Sequence, residues 1–297
     1  MRALDRVSFS VAEGEVLGIV GESGCGKSTL GKTIAGIRDP TGGSISFNGE
    51  QIASPGQQRP KGVRARLQYV YQDPGASLDP RWTLRRSLHE PLVIHTNWSR
   101  EQRAAKVDEI ATAMGLPAAL LDRYPHEISG GQQRRVGLAR ILVLAPQIVI
   151  LDEPTSGLDV SLQATVLALL RDLRRGFNLT YLLISHDIAV VSSMCDQVAV
   201  MYLGRIVEIG PTNQVLARPR HPYTRSLLAA SPRIGGPRFT DSLLQPDEVA
   251  EPTEIESGCR FRSRCPISIA ACATIDPQLV VEDGHGAACL RWSDQPA

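Results

Sequence analysis

Hydrophobic positions along the chain follow two patterns that predict different kinds of β-strand. Residues 4–11 (LDRVSFSV) alternate apolar and polar side chains, as in a strand with one buried face. Residues 147–154 (QIVILDEP) and 180–187 (TYLLISHD) are instead continuous apolar runs that end in acidic residues or histidine. Such runs are typical of central parallel strands that are buried on both faces. Together the patterns predict an α/β protein with a parallel core sheet.

Shorter apolar segments bounded by turn residues predict further strands. Residues 15–21 (EVLGIVG), 43–49 (GSISFNG) and 66–72 (RLQYVYQ) have this form. Residues 197–210 (QVAVMYLGRIVEIG) predict a hairpin with Gly204 in its turn.

Helical patterns occupy two stretches of the chain. Residues 161–176 (SLQATVLALLRDLRRG) predict an amphipathic helix that Gly176 should end. From residue 73 to about residue 140 the pattern is also helical, with prolines at the breaks. Residues 231–258 are rich in Pro, Gly and acidic residues, and they predict a linker or a loosely packed arm.

The composition is that of a globular protein with one large domain or two smaller ones, and it argues against several functional classes. The 297 residues include 32 Lys and Arg against 31 Asp and Glu, so no global field favours nucleic acid or anionic lipid. No apolar run reaches the ~20 residues that span a bilayer. The first residues lack the apolar core of a signal peptide. We therefore expect a cytoplasmic protein, in which clustered cysteines indicate metal or redox chemistry more often than disulfides.

A phosphate-binding loop with the pattern G-x-x-x-x-G-K-S/T lies between a predicted strand and a predicted helix. Its glycines let backbone N–H groups converge on phosphate oxygens, and the helix N-terminus adds positive partial charge. Lys27 should contact the β- and γ-phosphates of ATP, and Ser28 should offer its hydroxyl to Mg²⁺. Cys25 is either a filler of a variable position or a redox-sensitive thiol. The residues predicted to bind ATP here are Gly21, Glu22, Ser23, Gly24, Cys25, Gly26, Lys27, Ser28 and Thr29.

Polar side chains at the ends of other predicted strands should complete this site. Acids at the carboxyl end of a parallel strand lie where ligands bind in such sheets. We expect Asp152 to hold Mg²⁺ through water and Glu153 to polarise the attacking water as a general base. His186 should contact the γ-phosphate. Gln72 should also face the phosphates and Mg²⁺.

A second glycine-rich helix start lies at residues 129–135 (SGGQQRR). By itself, this segment is another anion-binding helix N-terminus. Because the chain already has a phosphate loop, the second site implies a partner.

Together these motifs resemble the ATP-binding cassette (ABC) transporter ATPases. The phosphate loop, Gln72, the 129–132 signature, the strand-end acids and His186 follow that family's order over roughly residues 1–230. The signature usually begins with leucine, where this chain has Ile128. The resemblance implies that two such domains meet head to tail, with ATP between the phosphate loop of one and the signature of the other. The residues that would act on the partner's ATP are Ser129, Gly130, Gly131, Gln132 and Asp159.

The resemblance also implies the architecture of the chain. Residues 1–230 would form an α/β P-loop nucleotide-binding domain with a RecA-like parallel sheet core and an antiparallel β-subdomain. A helical subdomain would be inserted at about residues 73–140, and residues 231–297 would form a C-terminal tail. Residues 220–232 (RHPYTRSLLAASP), with His221, Pro222 and Tyr223, resemble the ATPases of bacterial dipeptide, oligopeptide and nickel importers.

One feature departs from the family pattern. ABC ATPases usually stack adenine on an aromatic residue whose equivalent here would precede Met1, and the first strand of the β-subdomain also has no counterpart. Phe9 lies too close to the phosphate loop in sequence to replace that aromatic. Either the chain begins further upstream, or it is half of a tandem polypeptide, or adenine is held weakly.

Four of the six cysteines lie in the C-terminal tail, at Cys259, Cys265, Cys272 and Cys289. Their spacing matches neither the C-x₂-C pairs of zinc ribbons nor a ferredoxin run. Four thiolates can nevertheless surround one soft metal centre, and the importer resemblance implies a 4Fe–4S cluster. Zinc, or simple buried or disulfide cysteines, are the alternatives. We expect a structural or redox-sensing role rather than a catalytic one, since nothing in the sequence places the cysteines beside the nucleotide.

Three arginines lie among these cysteines, at Arg260, Arg262 and Arg264. They would either offset the negative charge of a cluster or form a solvated basic face.

We predict that the chain hydrolyses ATP to drive import of di- or oligopeptides, as a peripheral subunit at the cytoplasmic face of a bacterial inner membrane. Its partners would be a second nucleotide-binding domain (identical, different or fused), two transmembrane permease subunits and an extracytoplasmic substrate-binding protein. A groove near Gln72 and the helical subdomain would receive a cytoplasmic helix of the permease. The alternatives are a nickel importer ATPase, a regulatory or scaffold subunit with weak turnover, and a soluble non-transport ABC ATPase. The balanced charge argues against a nucleic-acid partner.

Overall fold

The computed structural model describes residues 3–72, 74–230 and 257–292. The described residues form two compact units, one drawn from Met1–Gly31 and Leu182–Ala297 and the other from Lys32–Tyr181. The first unit therefore joins the beginning of the chain to its end. The predicted linker at residues 231–258 lies outside the described residues except for its last two positions.

Strands and helices alternate along most of the described chain. The strands are β1 (Val16–Val20), β2 (Ile45–Phe47), β3 (Glu50–Ala53), β4 (Leu67–Val70), β5 (Ile148–Asp152), β6 (Thr180–Ile184), β7 (Gln197–Tyr202), β8 (Arg205–Pro211), β9 (Val280–Glu282) and β10 (His285–Ala287). The α-helices are α1 (Lys27–Ala35), α2 (Val63–Arg66), α3 (Leu84–His95), α4 (Arg100–Ala113), α5 (Gly130–Leu142), α6 (Val160–Phe177), α7 (Ile188–Met194), α8 (Thr212–Ala217) and α9 (Pro222–Ala230).

The first unit contains a mixed sheet. Strand β1 pairs in parallel with β7, and β7 pairs antiparallel with β8. All five residues of β1 are buried, as its apolar sequence predicts for a central strand. The predicted hairpin is confirmed, since Leu203 and Gly204 turn the chain between β7 and β8 with φ angles of 42° and 81°.

The C-terminal tail adds two strands to this sheet. In β10, Gly286 and Ala287 lie opposite Ile209 and Glu208 of β8, and β9 pairs with β10. The antiparallel part of the sheet, which begins with the β7–β8 pair, is thus extended by the chain's last segment, an extension that the predicted parallel core did not include.

The second unit contains parallel strands, a hairpin and a group of helices. Strands β4 and β5 are parallel, and β2 and β3 form an antiparallel pair. Helix α3 presents Leu84, Leu88 and Leu92 on one face, each fully buried, and α3, α4 and α5 contact one another. Residues 74–140 are thus rich in helix, as predicted. Their separation as a subdomain stays a prediction.

Two predictions about local structure are wrong. Residues 4–11 do alternate in burial, but they lie outside the strands of the described chain. An alternating side-chain pattern does not by itself provide a neighbouring strand with which the backbone can form hydrogen bonds. Helix α6 runs through Gly176 and ends at Phe177, where Asn178 takes the left-handed conformation with φ 49°. Asparagine tolerates that conformation and so ends the helix in place of glycine.

No helix in the described part of the chain is both long enough and apolar enough to cross a bilayer.

Candidate nucleotide site

The phosphate loop follows β1 directly and leads into α1. A Cβ atom at Gly21 would lie 2.1 Å from the carbonyl oxygen of Met201, and one at Gly26 would lie 2.4 Å from that of Ala3. Gly26 also has a φ angle of 106°. Only glycine fits these positions, because any side chain would collide with backbone. At these two positions no side chain covers the loop backbone, so a ligand can approach it, as a phosphate site requires.

Lys27 is buried within this loop. Its ammonium group donates hydrogen bonds to the carbonyl oxygens of Gly21 at 2.7 Å and Glu22 at 2.8 Å. The loop thus holds the cation that was predicted to contact the phosphates.

Cys25 is buried beside the same lysine. Burial raises the pKa of its thiol, and the opposing effect of Lys27 is smaller. A thiol held in its neutral form is a poor nucleophile. Of the two interpretations of Cys25, the structure favours the filler.

His186 lies in the same unit as the phosphate loop, directly after β6. The N–H group of Ser185 donates to the carbonyl oxygen of Ile19 in β1 at 3.1 Å. His186 is therefore exposed at the edge of the sheet where the phosphate loop begins. This is the position predicted from the end of its strand.

Gln72, Asp152 and Glu153 lie together in the second unit. Val70 of β4 is opposite Leu151 of β5, so the residues that follow the two parallel strands emerge at one edge. Tyr69 donates a hydrogen bond from its hydroxyl to Asp152. Burial and this carboxylate together raise the pKa of the tyrosine, which stays a neutral donor.

Glu153 has an unusual backbone conformation. Its φ angle is 49°, in the left-handed region that non-glycine residues rarely adopt. Such strain of ~1–3 kcal/mol is concentrated at functional sites. The residue predicted to act as the general base is thus held in a conformation that the local sequence does not favour.

The signature segment forms the N-terminus of α5. The hydroxyl of Ser129 accepts a hydrogen bond from the N–H group of Gln132, whose side chain accepts one from the N–H group of Ser129. This capping box fixes the helix start. A Cβ atom at Gly130 or Gly131 would meet no atom within 4 Å among the described residues. Packing within the described chain therefore does not require these two glycines.

Asp159 caps the next long helix of the second unit. Its carboxylate accepts a hydrogen bond from the N–H group of Leu162 at 2.9 Å. Val160 and Leu162 beside it are 82% and 50% exposed. The residue thus has a structural role in α6, and its contact with a partner's ATP stays a prediction.

Helix α9 and the tail both contact the phosphate loop, a placement that the sequence did not predict. The hydroxyl of Tyr223 accepts a hydrogen bond from the N–H group of Glu22 at 2.8 Å. The guanidinium of Arg264 donates two hydrogen bonds to the Glu22 carboxylate, at 2.8 and 3.0 Å. Sequence reasoning missed both contacts. In the local sequence, only the motif that contains Tyr223 pointed to either contact.

His221 of the same motif is a structural residue. It is 2% exposed, and burial lowers its pKa to about 4. The ring is therefore neutral near pH 7, where its Nδ1 accepts a hydrogen bond from the N–H group of Tyr223. This bond orients the tyrosine toward the phosphate loop.

The arginines of the tail bond to acceptors in the first unit, and Arg262 also lines the pocket of the four cysteines. Arg260 donates to Asp5 and to the carbonyl oxygen of Leu203. Arg262 donates to carbonyl oxygens within the tail. Together with Arg264 they fasten the tail, because each guanidinium finds acceptors in the same unit.

The four tail cysteines line one pocket. Each is a free thiol, so the disulfide alternative is wrong for this structure. Burial raises the pKa of Cys259 and Cys289, and that of Cys265 to about 11. Among residues 3–72, 74–230 and 257–292, no group of three or more His, Cys, Asp or Glu side chains has a metal-holding arrangement. The fold therefore gathers the thiols without forming a finished metal site.

The bare phosphate loop, the strand-end acids and the capped signature helix define the nucleotide-binding class of ABC ATPases. The family model for the ABC transporter matches residues 4–156, and that for the oligopeptide/dipeptide transporter C-terminal region matches residues 207–272. The chain belongs to the ABC transporter family. The predicted resemblance is confirmed.

Known proteins resemble both parts of the chain. A putative peptide import ATP-binding protein of Brucella ovis is 46% identical, covering 98% of this chain and 92% of that protein. The dipeptide transport ATP-binding protein DppF of Escherichia coli is 44% identical, covering 98% and 87%. A dimeric structure of the ATP-binding cassette MJ0796, bound to ADP and Pi, has a TM-score of 0.61 and 27% identity, covering 71% and 90%. The ABC ATPase fold is therefore also shown.

Proposed function

We propose that the chain is the ATP-hydrolysing subunit of a bacterial importer of di- or oligopeptides, acting at the cytoplasmic face of the membrane with separate permease subunits. The observation that carries this proposal is the extent of the similarity. A dipeptide transport ATP-binding protein matches 98% of the chain, tail included, rather than the nucleotide motifs alone. Transport of nickel has no comparable support.

The described residues suit ATP and Mg²⁺. The glycine cradle and Lys27 suit a polyphosphate, and hydroxyl, amide and carboxylate oxygens are the ligands that Mg²⁺ prefers. Ser28, Gln72 and Asp152 would supply those oxygens. When bound, Mg²⁺ would offset charge on the phosphate oxygens.

Glu153 would accept a proton from the attacking water, and His186 would donate a hydrogen bond to the γ-phosphate. Each of these roles follows from a polar side chain at the carboxyl end of a buried strand. The left-handed conformation of Glu153 supports its assignment.

The second cassette would complete each site. Ser129, Gly130, Gly131, Gln132 and Asp159 would contact the ATP that the partner's loop holds. Two open glycines at a helix start support this, because packing among the described residues does not require them. A similar cassette is itself known as a dimer.

Substituting Glu153 with glutamine tests the reaction. The amide keeps the shape of the side chain but cannot accept the proton, so turnover should fall ~10²–10⁴-fold while ATP binding persists. The measurement is peptide-stimulated ATP hydrolysis by the complex reconstituted with its permease and substrate-binding subunits. Glu50→Gln, on an exposed position of β3, is the matched control. Wild-type turnover in Glu153→Gln would remove this residue from the mechanism.

We also propose that the cysteine pocket takes up a 4Fe–4S cluster, with zinc as the alternative. The support is the convergence of Cys259, Cys265, Cys272 and Cys289 on one pocket. Their side chains would have to reorient, since the thiols are not arranged around a metal position here.

Anaerobic purification followed by iron, sulfide and zinc analysis tests this second proposal. About four irons and four sulfides per chain, with visible absorption that Cys265→Ser abolishes, would support the cluster. Cys195→Ser, outside the tail, is the control and should leave the metal content unchanged. One zinc without colour would replace the cluster, and a metal-free protein would exclude both.

A further inference from the structure

Every polar group of Glu22 in the phosphate loop has a partner in the first unit. Its carbonyl oxygen accepts a hydrogen bond from the Lys27 ammonium at 2.8 Å, and its N–H group donates to the Tyr223 hydroxyl at 2.8 Å. Its carboxylate accepts the two hydrogen bonds from Arg264. Glu22 therefore connects the lysine of the nucleotide site to two residues that follow it by about two hundred positions or more.

Both distal partners are rigidly supported. Tyr223 and Phe261 are 0% and 2% exposed, and they pack with Tyr202 at ring-centroid distances of 4.6 to 5.5 Å. The Arg264 guanidinium lies 5.8 Å from the ring centroids of Tyr202 and Phe261. Since a buried aromatic cluster resists displacement, the tail holds Arg264 at a fixed place beside the phosphate loop.

A second connection runs from the tail to the same loop. Arg260 donates a hydrogen bond to the carbonyl oxygen of Leu203 in the turn between β7 and β8. The next residue, Gly204, donates from its N–H group to the carbonyl oxygen of Cys25 at 2.8 Å. The tail thus reaches the loop at Glu22 directly and at Cys25 through this turn.

The charge of Glu22 gives the contact with Arg264 an electrostatic consequence. A carboxylate within a polyphosphate site repels the ligand, and a bidentate arginine offsets that charge while fixing its position. Loss of Arg264 would leave the carboxylate unpaired and the start of the loop less ordered. Both effects oppose nucleotide binding.

We propose that Arg264 of the cysteine-bearing tail and Tyr223 of α9 are positioning residues for nucleotide binding, which together fix Glu22 and so the phosphate loop. Neither residue is placed against the reacting atoms. They act through Glu22, whose carbonyl oxygen holds Lys27. This inference rests on the proposed ATP site but not on the transported substrate.

The test is ATP affinity of the full chain by titration calorimetry, with ATP turnover of the assembled complex. Arg264→Ala should raise the Kd for ATP about tenfold, as expected for loss of a charge-assisted bidentate contact. It should raise the KM for ATP similarly while changing kcat at saturating ATP less than about twofold, because the substitution alters the binding of ATP and not the chemical step. Arg264→Lys should restore part of the affinity, since it keeps the charge but loses the fork.

Three further variants separate a positioning role from general structural damage. Arg262→Ala removes a neighbouring guanidinium that donates only to carbonyl oxygens of the tail in the hydrogen bonds described above. It should leave the Kd for ATP within about twofold of the wild-type value. Tyr223→Phe removes the hydroxyl that accepts from Glu22, and it should raise the Kd about threefold. Arg264→Ala combined with Glu22→Gln should bind ATP no more weakly than Arg264→Ala alone, because both substitutions break one contact.

An unchanged Kd in Arg264→Ala would overturn the proposal, as would equal losses in Arg262→Ala or additive losses in the double variant. Should Arg264→Ala fail to fold, Tyr223→Phe and Glu22→Gln test the same contacts. Because binding is measured in the chain alone, these outcomes are distinct from a failure of peptide transport.

Discussion

The phosphate loop and the signature segment are both glycine-rich helix starts, yet their glycines are present for opposite reasons. At Gly21 and Gly26 the surrounding backbone leaves no room for a Cβ atom. At Gly130 and Gly131 a Cβ atom would meet no described atom within 4 Å. The first pair is required by the chain's own packing, whereas the second pair is not.

This difference supports the proposal that the signature segment serves the ATP of a partner, whereas the glycines of the phosphate loop are fixed by the chain's own packing. Each glycine in a helix lowers helix stability by about 0.5–1 kcal/mol relative to alanine. In α5 no described contact offsets that loss, so a ligand or partner outside the chain is the natural reason for it. In the proposed head-to-tail arrangement, the chain holds phosphate in its own loop and offers the signature segment to a partner's ATP as a half-site.

The largest expected effect comes from Gly26→Ala. The new Cβ atom would approach the carbonyl oxygen of Ala3 to 2.4 Å, in a left-handed conformation with φ 106°. We expect the free energy of unfolding to fall by about 2 kcal/mol or more and the Kd for ATP to rise at least about 100-fold. Denaturant unfolding and titration calorimetry measure the two quantities.

The matched control for this prediction is Gly131→Ala. It makes the same chemical change at an open helix position, so the free energy of unfolding should rise by about 0.5–1 kcal/mol with ATP affinity unchanged. Equal destabilisation by the two substitutions would contradict the distinction between the two glycine pairs.

A smaller and more selective effect is expected from Ser129→Arg. The substitution removes the capping hydroxyl, which stabilises α5 by about 1 kcal/mol, and it places bulk and charge at the half-site. ATP binding to the chain's own loop should persist, while turnover of the assembled complex should be lost. The measurement pairs calorimetry on the chain with hydrolysis by the complex. If an isolated monomer hydrolyses ATP as fast as the complex, the head-to-tail scheme fails.

Local sequence predicted most of the nucleotide site. The phosphate loop, Asp152, Glu153 and His186 each lie at the end of a strand that the apolar pattern had predicted. Their strand-end positions agree with the prediction because hydrophobic burial and turn formation depend on near neighbours along the chain. The same local reasoning misplaced residues 4–11, because a strand needs a distant partner, and it ended α6 at Gly176, where the left-handed cap belongs to Asn178.

The sequence alone determined that the chain has a phosphate loop, acids at strand ends and a cysteine-rich tail, since each is a run of adjacent residues. Only the tertiary structure decided that the tail joins the sheet through β10 and that its arginine holds the phosphate loop. Glu22 and Arg264 are 242 positions apart, and no local pattern specifies such a pair. Contacts of this kind depend on which surfaces the folded strands bring together, and that is settled by packing of the whole unit.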